Sequence, residues 1–120
     1  AFLYAFIEEV KRLAVGELPS LIDEIRDPVL SNPAGDHSLE AMAARVGMSK
    51  YHFLRKFKNI YGFTPAQEVR KIRIGMAMDL LLTTHEPLKV IADKTGFGSE
   101  VSLTRLFKKF YGRPPSAFKR

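Results

Sequence analysis

The chain has 120 residues, 46% of them hydrophobic, no cysteine, and a formal net charge of +6. That length allows one ordinary domain or two small subdomains, and the missing thiols exclude disulfides and thiolate metal sites and favour an intracellular protein. The charge is unevenly placed: residues 1 to 36 hold three basic and seven acidic residues, residues 37 to 120 sixteen basic and six acidic, so the basic part points to a polyanionic partner, nucleic acid before anionic membrane.

Residues 2 to 15 read as an amphipathic helix, with Phe2, Leu3, Phe6, Ile7, Val10, Leu13 and Ala14 on one face and Glu8, Glu9, Lys11 and Arg12 opposite. Gly16 ends it. The segment is too short to span a bilayer and lacks the basic n-region and cleavage site of a signal peptide. Its aromatic face is expected to bury against the rest of the chain or a missing upstream domain, with a dimerisation helix as the alternative. There is no initiator Met, and residues 1 to 36 are expected to be the end of a missing upstream domain that binds an effector or dimerises. A second helix is expected over residues 21 to 30, broken or restarted at Asp27-Pro28 because a residue before proline avoids the α region. Ser31 to His37 is turn chemistry, and the boundary with residues 37–120 is placed there.

Ser38 caps a short helix over residues 38 to 46, with Glu40 in the first turn and Leu39, Met42, Ala43 and Val46 on one face. Gly47 supplies a left-handed stop. Ser49 then caps a helix to about Tyr61, closed by Gly62. Two helices joined by a three-residue turn with a glycine form a helix-turn-helix pattern, the first unit, 37–63. Small Ala43 lets the two helices cross closely. On the second helix Phe53, Phe57 and Ile60 are expected in the core. Tyr51, Leu54, Arg55 and Lys58 fall on the opposite face. Two basic groups, an aromatic and an aliphatic suit guanine edges and thymine methyls; the bland alternative is a solvated helix surface.

Thr64-Pro65 opens a long helix to Thr83 or Thr84, with Val69, Ile72, Met76, Leu80 and Leu81 on its buried side and Arg70, Lys71 and Arg73 in its first half. Gly75 inside it is expected to mark close packing, since glycine there costs about 1 kcal/mol relative to alanine. At ~1.5 Å per residue this linker, 64–84, is a rod of about 30 Å, near the roughly 34 Å turn of B-DNA.

The second unit, 85–120, repeats the first. Leu88, Ala92, Gly96, Ser99, Arg105, Phe107, Lys108, Tyr111, Gly112 and Pro115 match Leu39, Ala43, Gly47, Ser49, Arg55, Phe57, Lys58, Tyr61, Gly62 and Pro65, with Gly98 as the one extra residue. Its second helix, 100 to 111, is expected to bury Leu103, Leu106, Phe107 and Phe110. Val101, Thr104, Arg105 and Lys108 point outward, and Glu100 suits either the helix dipole or a cytosine amine. Pro114-Pro115 starts a short last helix from which Phe118 packs back on the core.

The run from Ile91 to Arg120, preceded by the unit from Leu39 to Gly62 and by an RxxxAxxLL linker (Arg73, Ala77, Leu80, Leu81), resembles the DNA-binding region of AraC/XylS-type bacterial transcription regulators. The resemblance implies an all-α module of two helix-turn-helix subdomains joined by a long linker helix, about seven helices in addition to the N-terminal amphipathic one. It implies sequence-specific binding of double-stranded DNA, with the helices at about 49–61 and 99–111 in successive major-groove segments of an asymmetric site. Base contacts then fall on Tyr51, Leu54, Arg55, Glu100, Val101, Thr104 and Arg105, and phosphate contacts on Ser49, Lys50, His52, Lys58, Ser99, Ser102, Lys108 and Lys109. RNA polymerase is the expected protein partner, and the bacterial cytoplasm, on the nucleoid when bound, the expected location.

The alternative is a helical protein-interaction module that contacts the transcription machinery without reading bases. An enzyme is not expected. Asp79, Glu86, Asp93, His85 and His52 are scattered over separate helices, His37, His52 and His85 have no zinc-like spacing, and there is no phosphate-cradling glycine loop; no cofactor or metal is implied.

Overall fold

In the computed structural model, residues 20–119 are described, and all their regular structure is helical. The expected helix at residues 2 to 15 and its stop at Gly16 lie outside them. Six α-helices follow in order: α1 Leu21–Ser31, α2 Leu39–Arg45, α3 Lys50–Tyr61, α4 Pro65–Thr83, α5 Leu88–Lys94 and α6 Glu100–Tyr111. A 3-10 turn, Pro115–Ala117, comes last.

Local chemistry sets most of the helix ends. The side chains of Ser20, Ser38, Ser49, Thr64 and Ser99 each accept a hydrogen bond from the amide three residues on, satisfying a donor that the first turn leaves unpaired. Thr64 and Gln67 form a reciprocal capping box at the start of α4. α1 does not break at Asp27-Pro28, contrary to expectation. Pro28 sits inside the helix and forfeits the bond its N–H would have given to Glu24. Ile25 and Val29, on either side of it, are fully buried against the core, and that burial outweighs the lost bond.

The described residues form two hydrophobic cores. Ile25, Val29, Met42, Ala43, Phe53, Phe57 and Val69 form the first, and Ile74, Ala77, Leu81, Ile91, Ala92, Leu103 and Phe107 the second. α1 therefore shares the core of the first helix-turn-helix pair, and Tyr61 Oη accepts the Ile22 amide at 3.1 Å, capping α1 from the end of α3. α4 serves both cores. Besides Pro65 and Glu68 in its first turn, it buries Val69 on the first side and Ile74, Ala77 and Leu81 on the second, so its apolar stripe shifts by roughly a third of a turn along its length. The single stripe expected from Val69, Ile72, Met76, Leu80 and Leu81 is thereby corrected: Ile72, Met76 and Leu80 are only half-buried.

Three other expectations fail. Ile60 and Phe110 are 56% and 45% exposed; in the first unit Tyr61 packs against the core instead, and in the second Tyr111 stacks on Phe107 while staying 38% exposed. Tyr61 packs on Phe57 with ring centroids 4.5 Å apart, and Tyr111 on Phe107 at 4.7 Å. Phe63 and Phe118 then close the two units edge-on against Phe57 and Phe107 at 5.7 and 5.5 Å. Gly75 is not at a close contact: a Cβ there would meet nothing within 4 Å.

Candidate nucleic-acid interface

The two helix-turn-helix units superpose as chemistry. α2 ends with the Met48 amide bonded to the Ala43 carbonyl and the Gly47 amide to Ala44; α5 ends with the Phe97 amide bonded to Ala92 and the Gly96 amide to Asp93. Both are Schellman ends, which require a left-handed residue, and Gly47 and Gly96 have φ of 68° and 84°. α3 and α6 are each twelve residues long, and each stops at a left-handed glycine, Gly62 or Gly112, whose amide bonds four residues back at 2.8 Å. The extra Gly98, at φ 76°, lengthens only the turn before α6.

The two second helices present comparable outer faces. On α3, Tyr51 is 70% exposed, Arg55, Lys58 and His52 are exposed, and Leu54 is half-buried at the edge. On α6, Val101 is 65% exposed, Glu100, Ser102, Arg105, Lys108 and Lys109 are exposed, and Thr104 is half-buried like Leu54. The capping hydroxyls of Ser49 and Ser99 lie at the exposed leading ends. Arginine and lysine are common to both faces. The side chains at 51/101 and 54/104 differ.

Lys50 is more engaged than a free surface cation. Its Nζ donates to Glu40 Oε1 at 3.1 Å and lies 5.4 Å from the centre of the Tyr51 ring. Glu40 is held below the ordinary carboxylate range by its own backbone amide and then by Lys50. The α2 carboxylate thus offsets one positive charge at the start of α3.

Arg73 has an environment that spacing alone did not reveal. Its Nε donates to the Pro33 carbonyl at 3.0 Å, and Nη2 donates to the Gly35 carbonyl at 3.2 Å. Burial lowers its pKa from the usual arginine value. The 33–35 loop reaches the second unit at this point, since a Cβ on Gly96 would lie 2.6 Å from the Pro33 oxygen. Beside it, a cleft of about 490 Å³ opens between α4 and α6, lined by Arg70, Arg73, Gly96, Phe97, Ser102, Arg105, Leu106 and Lys109.

Buried polar residues also escaped the sequence reading. Glu68 is 3% exposed and pairs with Arg26 at 3.0 Å. His37 is buried between the Asn32 carbonyl at 2.6 Å and Arg45 Nη1 at 3.2 Å, which assigns the ring proton to Nε2. Among the described residues no group of His, Asp and Glu is arranged to hold a metal ion, and no helix is long and apolar enough to cross a membrane.

The helix-turn-helix domain family matches residues 42–120. The multiple antibiotic resistance protein MarA of Escherichia coli is 33% identical over 98 residues, covering 82% of this chain and 77% of that protein. Among solved structures, the DNA-binding domain of AdpA, described as a global transcriptional factor in complex with a target DNA, aligns with a TM-score of 0.75 and 29% identity, over 83% of this chain and 90% of that one. The C-terminal domain of AraT, a response regulator from Geobacillus stearothermophilus, aligns with a TM-score of 0.76 and 27% identity, over 86% of each chain.

Proposed function

The chain belongs to the AraC/XylS family of helix-turn-helix transcription regulators, and we propose that it seats α3 and α6 in successive major-groove segments of one asymmetric duplex site. Its activity is sequence-specific binding of double-stranded DNA for transcription regulation; the family is one of regulators, not of enzymes. The observation that carries the two-helix reading is the pairing of equal frames with unequal faces. The Schellman ends of α2 and α5 and the caps, stops and lengths of α3 and α6 agree between the units, while Tyr51 faces out where the second unit has Val101, and Leu54 stands where it has Thr104.

Base reading is assigned to Tyr51, Leu54 and Arg55 on α3 and to Glu100, Val101, Thr104 and Arg105 on α6. The arginines offer bidentate donors for guanine, and Tyr51, Leu54 and Val101 offer apolar contact for thymine methyls. Ser49, Lys50, His52, Lys58, Ser99, Ser102, Lys108 and Lys109 hold phosphates, which supply affinity through counterion release rather than sequence. Residues 37–120 make up the DNA-binding module, divided into 37–63, the linker 64–84 and 85–120. α1 precedes these residues but packs into the core of the first unit and so belongs to this module; the effector-binding or dimerisation role falls to an upstream domain, and RNA polymerase is the protein partner in a bacterial cytoplasm, on the nucleoid when bound.

Selection of bound duplexes from a random pool tests the reading. The expected product is an asymmetric site of about twenty base pairs without a dyad. A palindromic product would overturn the tandem arrangement. Absence of any duplex binding at low salt, with a protein partner still captured, would favour the interaction-module alternative.

A further inference from the structure

The cleft between α4 and α6 joins the edge of the α6 reading face to cations of α4 that the base-reading and phosphate assignments leave out, Arg70 and Arg73. Four cations line it, Arg70, Arg73, Arg105 and Lys109, together with the Ser102 hydroxyl, and its lining contains no acidic residue. The ion pairs of the described residues are Arg26–Glu68, Lys50–Glu40 and Lys94–Glu86, so none of the four has a carboxylate partner among them. Three of the four are exposed and screened by water, while Arg73 is half-buried; an anion seated among them would be attracted by all four at once.

The position of the cleft limits what the anion can be. Arg105 belongs both to the cleft and to the outer face of α6, so an occupant of the cleft lies against the DNA-reading surface. α4 starts three residues after Gly62 closes α3, so its first half lies between the two second helices along the chain. Where two major-groove segments on one side of B-DNA are occupied, the minor groove and its two rows of phosphates face the protein between them.

We propose that this cleft is a binding site for the sugar–phosphate backbone in the middle of the operator, with Arg70 and Lys109 on the phosphates and Arg73 as a fixed positive charge behind them. The proposal rests on the reading that α3 and α6 occupy successive major-groove segments. Arg73 suits this part because two of its five N–H donors are taken by the Pro33 and Gly35 carbonyls. Those bonds hold the guanidinium in place without cancelling its charge. Arg70 is exposed, free to form the fork geometry by which arginine engages phosphate oxygens. The connecting helix thereby becomes part of the DNA-binding surface.

The test uses the full chain and the duplex it selects from a random pool, with single phosphates across the centre of the site replaced by uncharged methylphosphonates. The unsubstituted protein should lose affinity several-fold at one or two central positions. Arg70→Gln should weaken binding to the unmodified duplex by a similar factor, lower the salt slope by about 0.9, and lose nothing further at those central positions. At flanking phosphates the two losses should multiply. Losses that multiply everywhere, or a centre insensitive to neutralisation, would overturn the proposal. Arg73→Gln is a second variant, interpreted only if its helical circular dichroism and melting match the parent, because it also releases the 33–35 loop. Failure of the underlying reading has a different signature: the unsubstituted chain would select no duplex, or would be indifferent to base changes in both halves of the site.

Discussion

Arg26 Nε donates to Glu68 Oε1 at 3.0 Å, joining α1 to the first turn of α4 across 42 residues of sequence. Glu68 is buried while the Arg26 side chain is 45% exposed, so water can replace only part of the bond. Breaking a fully buried pair costs about 3 to 5 kcal/mol; the exposure of Arg26 reduces this to roughly 1 to 3 kcal/mol for Arg26→Met. Urea unfolding should show the lower midpoint, and adding Glu68→Met should recover part of it. An unchanged midpoint in the single variant would mean that Glu68 is solvated in its absence.

Gly47 and Gly96 hold equivalent turns, but their substitutions should differ. Gly47→Ala meets nothing within 4 Å and carries only the left-handed backbone strain, about 1 to 2 kcal/mol. Gly96→Ala adds a clash with the Pro33 carbonyl and with Arg73 Nε, both under 3 Å, worth roughly another 1 to 3 kcal/mol. Thermal melts should rank the two variants in that order, and equal losses would show that the 33–35 loop yields freely.

Gly75→Ala should stabilise the chain. The site is inside α4 and has open space around the missing Cβ, so the substitution removes unfolded-state freedom at no steric cost, worth about 0.4 to 1 kcal/mol. A lower melting temperature would reveal a contact at this position.

Replacing Arg55 or Arg105 by alanine should relax base preference in different halves of the selected site. Each loss should be about 1 to 3 kcal/mol, confined to one or two base pairs. Competition with singly substituted duplexes measures this, and an even loss over all sequences would make both residues phosphate clamps.

Glu40→Gln should tighten non-specific duplex binding. The carboxylate pairs with Lys50 at the leading end of α3, and its removal frees one cation, which steepens the salt slope by up to about 0.9. Titrations between low and moderate salt would show it; parallel curves would place Lys50 away from the backbone.

Helix ends were legible because they depend on neighbours in sequence. Ser38, Ser49 and Ser99 were readable as caps, and Gly47, Gly62, Gly96 and Gly112 as stops, since each satisfies or frees backbone groups a few residues away. The outward positions Tyr51, Arg55, Val101 and Arg105 were readable from helical period for the same reason. Ile60 and Phe110 were misjudged because two stripes fit the period equally well, and Phe63 and Phe118, returning after the glycine turns, decide between them. Glu68, Arg73 and His37 were illegible for a different cause. Their partners lie on other elements, or are backbone carbonyls that carry no sequence signal.

The division of α4 between two cores has a consequence for how the molecule comes apart. Ile72 packs with the first core and Ile74 with the second, and Arg73 between them is tied to the loop after α1. If one half loosens, α4 loses partners along one end only, and the opening can halt near that tie instead of running through the helix. Amide hydrogen exchange should therefore show two protection levels along α4, meeting near residue 73. DNA bound across both units should merge them into one.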